Sequence, residues 1–132
     1  MRVLDLGCGK GLTSIFLAKE YGVTVYATDL WIPATENYLR FRQMGLQDQI
    51  IPIHSDALDL PYADEFFDAV VCVDAYMFFG ANEQFMDKHL APLVKAGGDI
   101  AITIAGLKEE FEFAPENIKH FFQMNPGKRF IL

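Results

Sequence analysis

The sequence has few cysteines and no long apolar run, and both features narrow the class of protein. Its 132 residues include two cysteines, Cys8 and Cys72, too few for a disulfide scaffold or a zinc site. No apolar stretch approaches membrane-spanning length, and Asp5 interrupts the first apolar run, which is unlike a secretory signal segment. We therefore expect a cytoplasmic protein with two buried free thiols, no metal and no membrane partner.

Basic residues are also scarce. The chain has 11 lysines and arginines against 18 aspartates and glutamates, for a net charge of −7. Proteins that bind nucleic acid need a basic surface to displace counterions from phosphates, so a nucleic-acid partner is not expected. An acidic chain suits a cationic ligand. The composition, 52% hydrophobic and 22% charged, is that of a folded protein, and the length predicts one domain over residues 1–132.

Strand and helix patterns alternate along the chain. This alternation predicts an α/β fold with a mostly parallel sheet and right-handed crossovers. In such sheets ligands bind beyond the carboxyl ends of the strands, near the point where the strand order reverses. The predicted strands are residues 2–6, 23–28, 50–54, 67–73 and 99–105, and the predicted helices are residues 11–21, 34–44, 82–90 and 115–123.

Glycine, proline and apolar spacing set finer expectations for these elements. Gly22 and Gly45 are predicted to end the first two helices, Pro33 to start the second, and Asn82 to cap the third. A turn is expected at Gly97-Gly98. Helical spacing predicts two inward faces, made by Leu12, Ile15 and Phe16 in the first helix and by Ala34, Tyr38 and Phe41 in the second.

A glycine-rich segment, D-L-G-C-G-K-G at residues 5–11, lies directly between the first strand and the first helix. Glycines there permit a tight turn and close approach of the backbone to a ligand. The dinucleotide motif G-x-G-x-x-G requires a third glycine where Leu12 stands, and the phosphate P-loop requires a glycine where Leu4 stands. The sequence therefore matches neither motif. The pattern that remains to be explained is D-x-G-x-G-x-G, preceded by V-L.

This pattern, V-L-D-L-G-C-G-K-G, resembles the first motif of class I S-adenosylmethionine-dependent methyltransferases. The resemblance implies a three-layer, Rossmann-like methyltransferase core with S-adenosylmethionine as cofactor. Further motifs extend it over residues 2–105: H-S-D-A followed by L-P and F-F-D-A-V-V, and L-V-K-A-G-G before the fifth strand. The cofactor-binding residues it implies are Asp5, Gly7, Cys8, Gly9, Gly11, Asp29, Leu30, Asp56, Ala57 and Asp74.

The resemblance assigns roles to four of these positions. Asp29, at the end of the second strand, would hold the ribose hydroxyls, although its place 18 residues after Gly11 also suits a dinucleotide fold. Asp56 would contact the adenine amino group beside the Ala57 backbone. Asp74 either faces the ligand or simply ends the fourth strand. The segment after that strand, D-A-Y, lacks the N/D-P-P-Y/F motif of enzymes that methylate amino groups of bases.

Family members usually carry a helix before the first strand and two strands after the fifth. We therefore expect a core, residues 2–105, that is truncated at its amino end and after the fifth strand, with a tail, residues 106–132. Uncovered edges make a homodimer a reasonable expectation. His54, Asp74 and Tyr76 lie near strand ends, but no general base and no other catalytic residue is assigned.

Three functions remain open at this point. The first is methyl transfer from S-adenosylmethionine to a small-molecule acceptor. The second is a non-catalytic S-adenosylmethionine-binding fragment or regulatory module. The third is a nicotinamide-dependent oxidoreductase, which Leu12 at the third glycine position disfavours.

Overall fold

A five-stranded parallel sheet in the order β3-β2-β1-β4-β5 forms the centre of the protein. The structure, a computed structural model, describes residues 1–105, 115–117 and 119–120. Every strand pairing is parallel, which confirms the predicted α/β class. The strands are β1 (Arg2–Leu6), β2 (Thr24–Asp29), β3 (Ile50–His54), β4 (Phe67–Val73) and β5 (Val94–Thr103).

Two regular helices connect the first three strands, α1 (Leu12–Tyr21) and α2 (Ala34–Gln43). Both end as the glycines predict. Gly22 adopts a φ of 63° and donates its N–H to the Ala18 carbonyl, and Gly45 adopts a φ of 70° just beyond α2. Pro33 occupies the position before the first turn of α2, also as predicted.

Apolar side chains cover both faces of the sheet and give the predicted three layers. β1 shows why, because its alternate residues enter different clusters: Val3 faces α1 and α2, whereas Leu4 and Leu6 face the opposite side. The second face is covered by a short helical segment that contains a π-helical turn (Met86–Leu90) and a 3₁₀ turn (Ala91–Leu93). Phe85, Leu90 and Leu93 of this segment are buried against the sheet.

The inward faces of both helices match the prediction only in part: Ile15 and Phe41 pack into the core as predicted, but other residues do not. In α1, Leu12 and Phe16 are 80% and 54% exposed, while Ser14 and Ala18 are buried. In α2, Tyr38 is exposed, and Asn37 is buried beside Phe41. Helical spacing alone predicted an apolar stripe, but polar partners below the helices, described in the next subsection, allow a serine and an asparagine to lie inside.

The glycine pair Gly97-Gly98 does not form the predicted turn. β5 begins at Val94 rather than at Asp99, and both glycines lie within it. The pairing with β4 shifts between Phe67↔Val94 and Ala69↔Asp99, so the extra residues of β5 form a bulge. Gly97 adopts a φ of 78° there, which a glycine adopts without steric cost. The strand therefore passes through the glycines instead of starting after them.

Two further boundaries were predicted less accurately. The helical segment on the second face begins at Phe85, not Asn82. Asn82 instead closes a turn before it, where its Oδ1 accepts the Gln84 N–H at 3.0 Å. Of the helix predicted at residues 115–123, residues 116–117 and 119–120 are helical; residues 118 and 121–123, and most of the tail, lie outside the described residues. Within the described part of the chain, no helix has the length and apolar character needed to cross a bilayer.

Candidate functional site

A cavity of about 570 Å³ opens at the carboxyl ends of β1, β2 and β4. It lies where the strand order reverses between β1 and β4, the position at which open α/β sheets bind ligands. The volume is in the range of small-molecule and cofactor sites. The cavity is lined by Leu6, Gly7, Gly9, Thr28, Asp29, Leu30, Trp31, Ser55, Asp56, Ala57, Leu58, Asp74, Ala75, Phe78, Phe79 and Asn82.

Most of the site residues predicted from the sequence meet at this cavity. Those that line it are Gly7, Gly9, Asp29, Leu30, Asp56, Ala57 and Asp74. The other three, Asp5, Cys8 and Gly11, are absent from its lining. Asp5 lies below α1 and Gly11 packs against Phe41, so these residues shape the wall from behind.

The glycine turn is fastened to β2 and bent by three residues of positive φ. The Gly7 and Cys8 N–H groups both donate to the Thr28 carbonyl, at 2.8 and 3.1 Å. A Cβ on Gly7 would lie 2.4 Å from Ala75, and one on Gly11 would lie 2.5 Å from the Phe41 ring. A Cβ on Gly9 would meet nothing within 4 Å. Gly7 and Gly11 therefore permit internal packing, whereas Gly9 presents bare backbone to the cavity.

Asp29 holds the tip of this turn through its carboxylate. Its Oδ2 accepts the Gly9 N–H at 2.8 Å, and its Oδ1 accepts the Trp31 and Ile32 N–H groups at 2.8 and 2.9 Å. The residue is 8% exposed and lines the cavity. A carboxylate offers about four lone-pair positions. Three are used, so Oδ2 retains one acceptor position for a hydroxyl group.

Asn37 was not among the residues predicted from the sequence, yet it contacts the same turn. Its Nδ2 donates to the Gly9 carbonyl at 2.9 Å, and its Oδ1 accepts a hydrogen bond from Arg40. An asparagine inside an amphipathic helix is usually a surface residue, so no pattern in the sequence pointed to it. Only the packing of α2 against the turn identifies this position.

Below the turn, Asp5 is buried and bonded to α1. The Ser14 hydroxyl donates to its Oδ2 at 2.6 Å. Burial raises the pKa of Asp5 to about 6, with a smaller contribution from the negative charge of Asp29. The buried Ser14, for which no prediction was made from the sequence, is thus the partner of this carboxyl group.

The two cysteines are free, as predicted. Cys72 is buried and Cys8 is half-buried. Desolvation raises the pKa of both thiols, that of Cys72 to about 12. A thiol that stays protonated is a poor nucleophile and a poor metal ligand, and neither cysteine lines the cavity.

Two further acidic groups line the cavity, one after β3 and one after β4. Asp56 is exposed, and its Oδ1 accepts the Leu58 N–H at 2.9 Å. Asp74 follows β4 with a φ of 54° and donates its N–H to the Thr103 carbonyl at 2.8 Å. A non-glycine residue in this conformation costs free energy, and such strain is concentrated at functional sites.

An aromatic pair spans part of the cavity wall. The rings of Trp31, after β2, and Phe78, after β4, meet edge to face with centroids 4.8 Å apart. Both are at least half exposed, at 67% and 50%. With Leu30 and Leu58 they form an apolar surface beside the carboxylates, suited to a flat ring.

The charges of the cavity have one sign. Its lining contains the carboxyl groups of Asp29, Asp56 and Asp74, and no lysine, arginine or histidine stands among the described residues that line it. His54 is at the end of β3, but its Nε2 lies 2.7 Å from the Leu30 carbonyl, outside the lining. Tyr76 is also outside it. Of the three polar side chains noted at strand ends, only Asp74 faces the cavity.

No group of three or more histidine, cysteine, aspartate or glutamate side chains within the described residues is arranged to hold a metal ion. The site therefore consists of a glycine turn, acidic groups at three strand ends and an aromatic wall. Together with the strand order, these features define a Rossmann-like domain whose cavity is suited to a nucleoside-containing ligand.

Comparison with known proteins identifies the family. Residues 3–98 match the family model described as "Methyltransferase domain". The methyltransferase GfsG of Streptomyces halstedii is 33% identical over 106 residues, which cover 76% of this chain and 36% of that protein. The chain belongs to this family of methyltransferase domains, and its fold is that of the class I enzymes; the nicotinamide hypothesis is set aside.

Solved structures agree. A putative sarcosine dimethylglycine methyltransferase from Galdieria sulphuraria superposes with a TM-score of 0.72 at 28% identity, over 78% of this chain and 38% of that one. A geranyl diphosphate C-methyltransferase from Streptomyces coelicolor, in complex with Mg²⁺, geranyl diphosphate and S-adenosyl-L-homocysteine, gives a TM-score of 0.68 at 20% identity, over 76% and 38%. At that identity the second likeness concerns the fold alone. The chain spans about a third of the length of these proteins.

Proposed function

We propose that this domain binds S-adenosylmethionine in the cavity and transfers its methyl group to a small-molecule acceptor. The observation that carries the proposal is the Gly9 backbone, which faces the cavity without a Cβ contact while the adjacent Asp29 carboxylate retains one acceptor position. Asp56 and the aromatic wall lie beside them. Family membership supplies the reaction class.

The residues present fit the cofactor. The bare Gly7 and Gly9 backbone would contact the amino-acid portion, and Asp29 would accept a ribose hydroxyl through its remaining position on Oδ2. Asp56 would accept from the adenine amino group through Oδ2, since within the described residues its Oδ1 alone accepts a hydrogen bond, from Leu58. Leu30 and Trp31 would flank the adenine ring. Asp74 would face the cationic methionine portion.

When bound, S-adenosylmethionine supplies a methyl group activated by a positively charged sulfur. The protein then has to align the acceptor with the methyl group and exclude water. Phe78 and Phe79 line the cavity on the β4 side and provide an apolar surface for that purpose. No side chain is assigned as general base. An acceptor that already carries a free lone pair does not need one.

A small-molecule acceptor is supported by the acidic lining, which disfavours polyanionic substrates, and by the small substrate named for the putative sarcosine dimethylglycine methyltransferase. The chain spans about a third of those proteins, so acceptor recognition and catalysis by the complete protein are part of the proposal. A single domain over residues 1–132, a cytoplasmic location and a homodimer remain predictions from the sequence.

Calorimetric titration with S-adenosylhomocysteine tests cofactor binding, and NAD serves as a contrasting ligand. We expect one site for S-adenosylhomocysteine and no measurable binding of NAD. The single tryptophan of the sequence, Trp31, lines the cavity, so its fluorescence should change in the same titration. Tight NAD binding with none of S-adenosylhomocysteine would reject the proposal.

Two charge-matched variants locate the site. Asp56→Ala removes a carboxylate from the cavity, whereas Asp59→Ala removes an exposed one from the same loop that does not line it. We expect Asp56→Ala to weaken S-adenosylhomocysteine binding about tenfold, the loss of one good hydrogen bond, and Asp59→Ala to leave it unchanged. Methyl transfer to a panel of small acceptors then separates catalysis from the alternative, cofactor binding without catalysis.

A further inference from the structure

Gly9 is held by side chains from two different elements, one bonded to each of the peptide groups that flank its Cα. Its N–H donates to Asp29 Oδ2 at 2.8 Å, and its carbonyl accepts Asn37 Nδ2 at 2.9 Å. Asp29 ends β2, whereas Asn37 lies in α2, one turn from the helix start. Gly9 is the residue of the turn that presents open backbone to the cavity. Its orientation is therefore fixed from both sides.

The orientation of the Asn37 amide is itself determined. Arg40 can only donate hydrogen bonds, and it donates to Asn37 Oδ1 and to Glu36 Oε1. The amide oxygen must therefore face Arg40, which leaves the amide nitrogen facing the Gly9 carbonyl. The Asn37 side chain is 1% exposed. A buried amide of this kind costs free energy unless its groups are bonded, and here both are.

We infer that Asn37 is a positioning residue for cofactor binding, acting through the Gly9 carbonyl rather than by touching the ligand. Asn37 does not line the cavity. Its amide holds the Gly9 carbonyl toward α2, so that the opposite face of the peptide stays open to the ligand. The inference rests on the proposed function, because it assigns a role to Asn37 in binding S-adenosylmethionine.

The test compares Asn37→Asp with Lys95→Gln in the full 132-residue chain, using S-adenosylhomocysteine as the probe. Asn37→Asp preserves size but replaces the donor by an acceptor that repels the Gly9 carbonyl. Lys95→Gln removes a hydrogen bond to Asp68 far from the turn and serves as a control for a general loss of stability. Calorimetry separates the dissociation constant from the fraction of protein that binds.

We expect Asn37→Asp to raise the dissociation constant about tenfold with the binding stoichiometry unchanged. If Asn37 only stabilised the fold, Asn37→Asp would lower the fraction of protein that can bind, as any destabilising substitution would. The dissociation constant of the protein that remains folded would then be unchanged. Lys95→Gln should bind as the wild type does. An unchanged dissociation constant in folded Asn37→Asp would overturn the inference.

A second variant covers the case in which Asn37→Asp does not fold. Arg40→Met removes the partly exposed guanidinium that orients the amide, and we expect a rise of about threefold in the dissociation constant. Wild-type affinity in Arg40→Met would then overturn the inference. If the wild-type chain itself fails to bind S-adenosylhomocysteine, the proposed function fails first, so the two failures can be told apart.

Discussion

Asp5 places an ionisable group where water is excluded. Its carboxyl group is bonded to Ser14 below α1, and burial raises its pKa from 3.8 to about 6. The folded protein therefore holds this proton more tightly than the unfolded chain does. Well below pH 3.8 both states are protonated and the stability from Asp5 is complete. It is lost as the pH rises through the folded pKa of about 6, because the folded state then buries a negative charge.

The variant Asp5→Asn should remove this dependence, because an amide oxygen can still accept from Ser14 and carries no charge. We expect the free energy of unfolding of the variant, relative to wild type, to improve by roughly 2 kcal/mol between pH 4 and pH 7. Urea unfolding at both pH values measures it. Asp59→Asn, at an exposed position, is the control and should show no such trend. A constant difference across this range would contradict the assignment.

A comparison of Gly9 with Gly22 separates the effect of backbone strain on stability from the effect of a new side chain on ligand binding. Both have positive φ, at 54° and 63°, and neither would bring a Cβ within 4 Å of another atom. Alanine at either position should cost about 1 to 2 kcal/mol of folding stability. Only Gly9 lines the cavity. We therefore expect Gly9→Ala to weaken S-adenosylhomocysteine binding by roughly tenfold or more, and Gly22→Ala to leave it unchanged.

Equal binding losses in the two variants would mean that Gly9 acts through stability alone. Thermal unfolding of both proteins, measured beside the titrations, establishes whether their stabilities are matched.

For single residues, prediction from the sequence worked best where the backbone conformation requires a particular residue type. Glycines at alternate positions after a strand predict a turn, and an acid at the next strand end predicts a hydrogen-bond acceptor near it. Asn37 could not be found in the same way, because its role depends on how α2 packs against the turn. Asp5, Cys8 and Gly11 belong to the same motif as Gly9, yet only the packing places them behind the cavity wall.

Among the elements, β5 shows most clearly how two neighbouring glycines differ. Gly97 has a φ of 78° and open space around it, whereas a Cβ on Gly98 would lie 2.6 Å from the Asp68 carbonyl oxygen and 2.7 Å from Val94 Cγ1. The first glycine permits the backbone conformation of the bulge. The second permits close approach to β4.

The same substitution at both positions tests this difference. Asparagine tolerates the left-handed conformation, so Gly97→Asn should cost less than about 1 kcal/mol. Gly98→Asn should cost about 1 to 3 kcal/mol, because backbone atoms must move to admit the side chain. Urea unfolding measures both. Equal costs would indicate that these glycines form a free turn, as the sequence alone predicted.

The strands themselves were predicted well because their apolar runs are bounded by clear breakers. β1, β3 and β4 have the predicted bounds. The helix faces were predicted poorly, since Leu12 and Phe16 have the spacing of a core stripe but lie on the side of α1 away from the sheet. Periodicity locates an apolar face without indicating what covers it, and it cannot anticipate a buried serine that bonds Asp5.

For the whole molecule, the negative charge of the protein should favour S-adenosylmethionine over S-adenosylhomocysteine. The chain carries a net charge of −7, and three carboxyl groups line the cavity. S-adenosylmethionine carries one more positive charge than S-adenosylhomocysteine, at its sulfur. A negative potential focused in the cavity should therefore favour the first, and salt should weaken that preference because ions screen charges in water-accessible sites.

Titrations at about 0.02 M and about 0.5 M salt measure this preference. We expect the affinity for S-adenosylmethionine to fall several-fold and that for S-adenosylhomocysteine to change less than about twofold. Asp74→Asn, inside the cavity, should reduce the difference between the ligands, whereas Asp64→Asn, exposed and outside the lining, should preserve it. If both ligands respond equally to salt in every protein, the carboxylates do not contribute to selection of the charged cofactor.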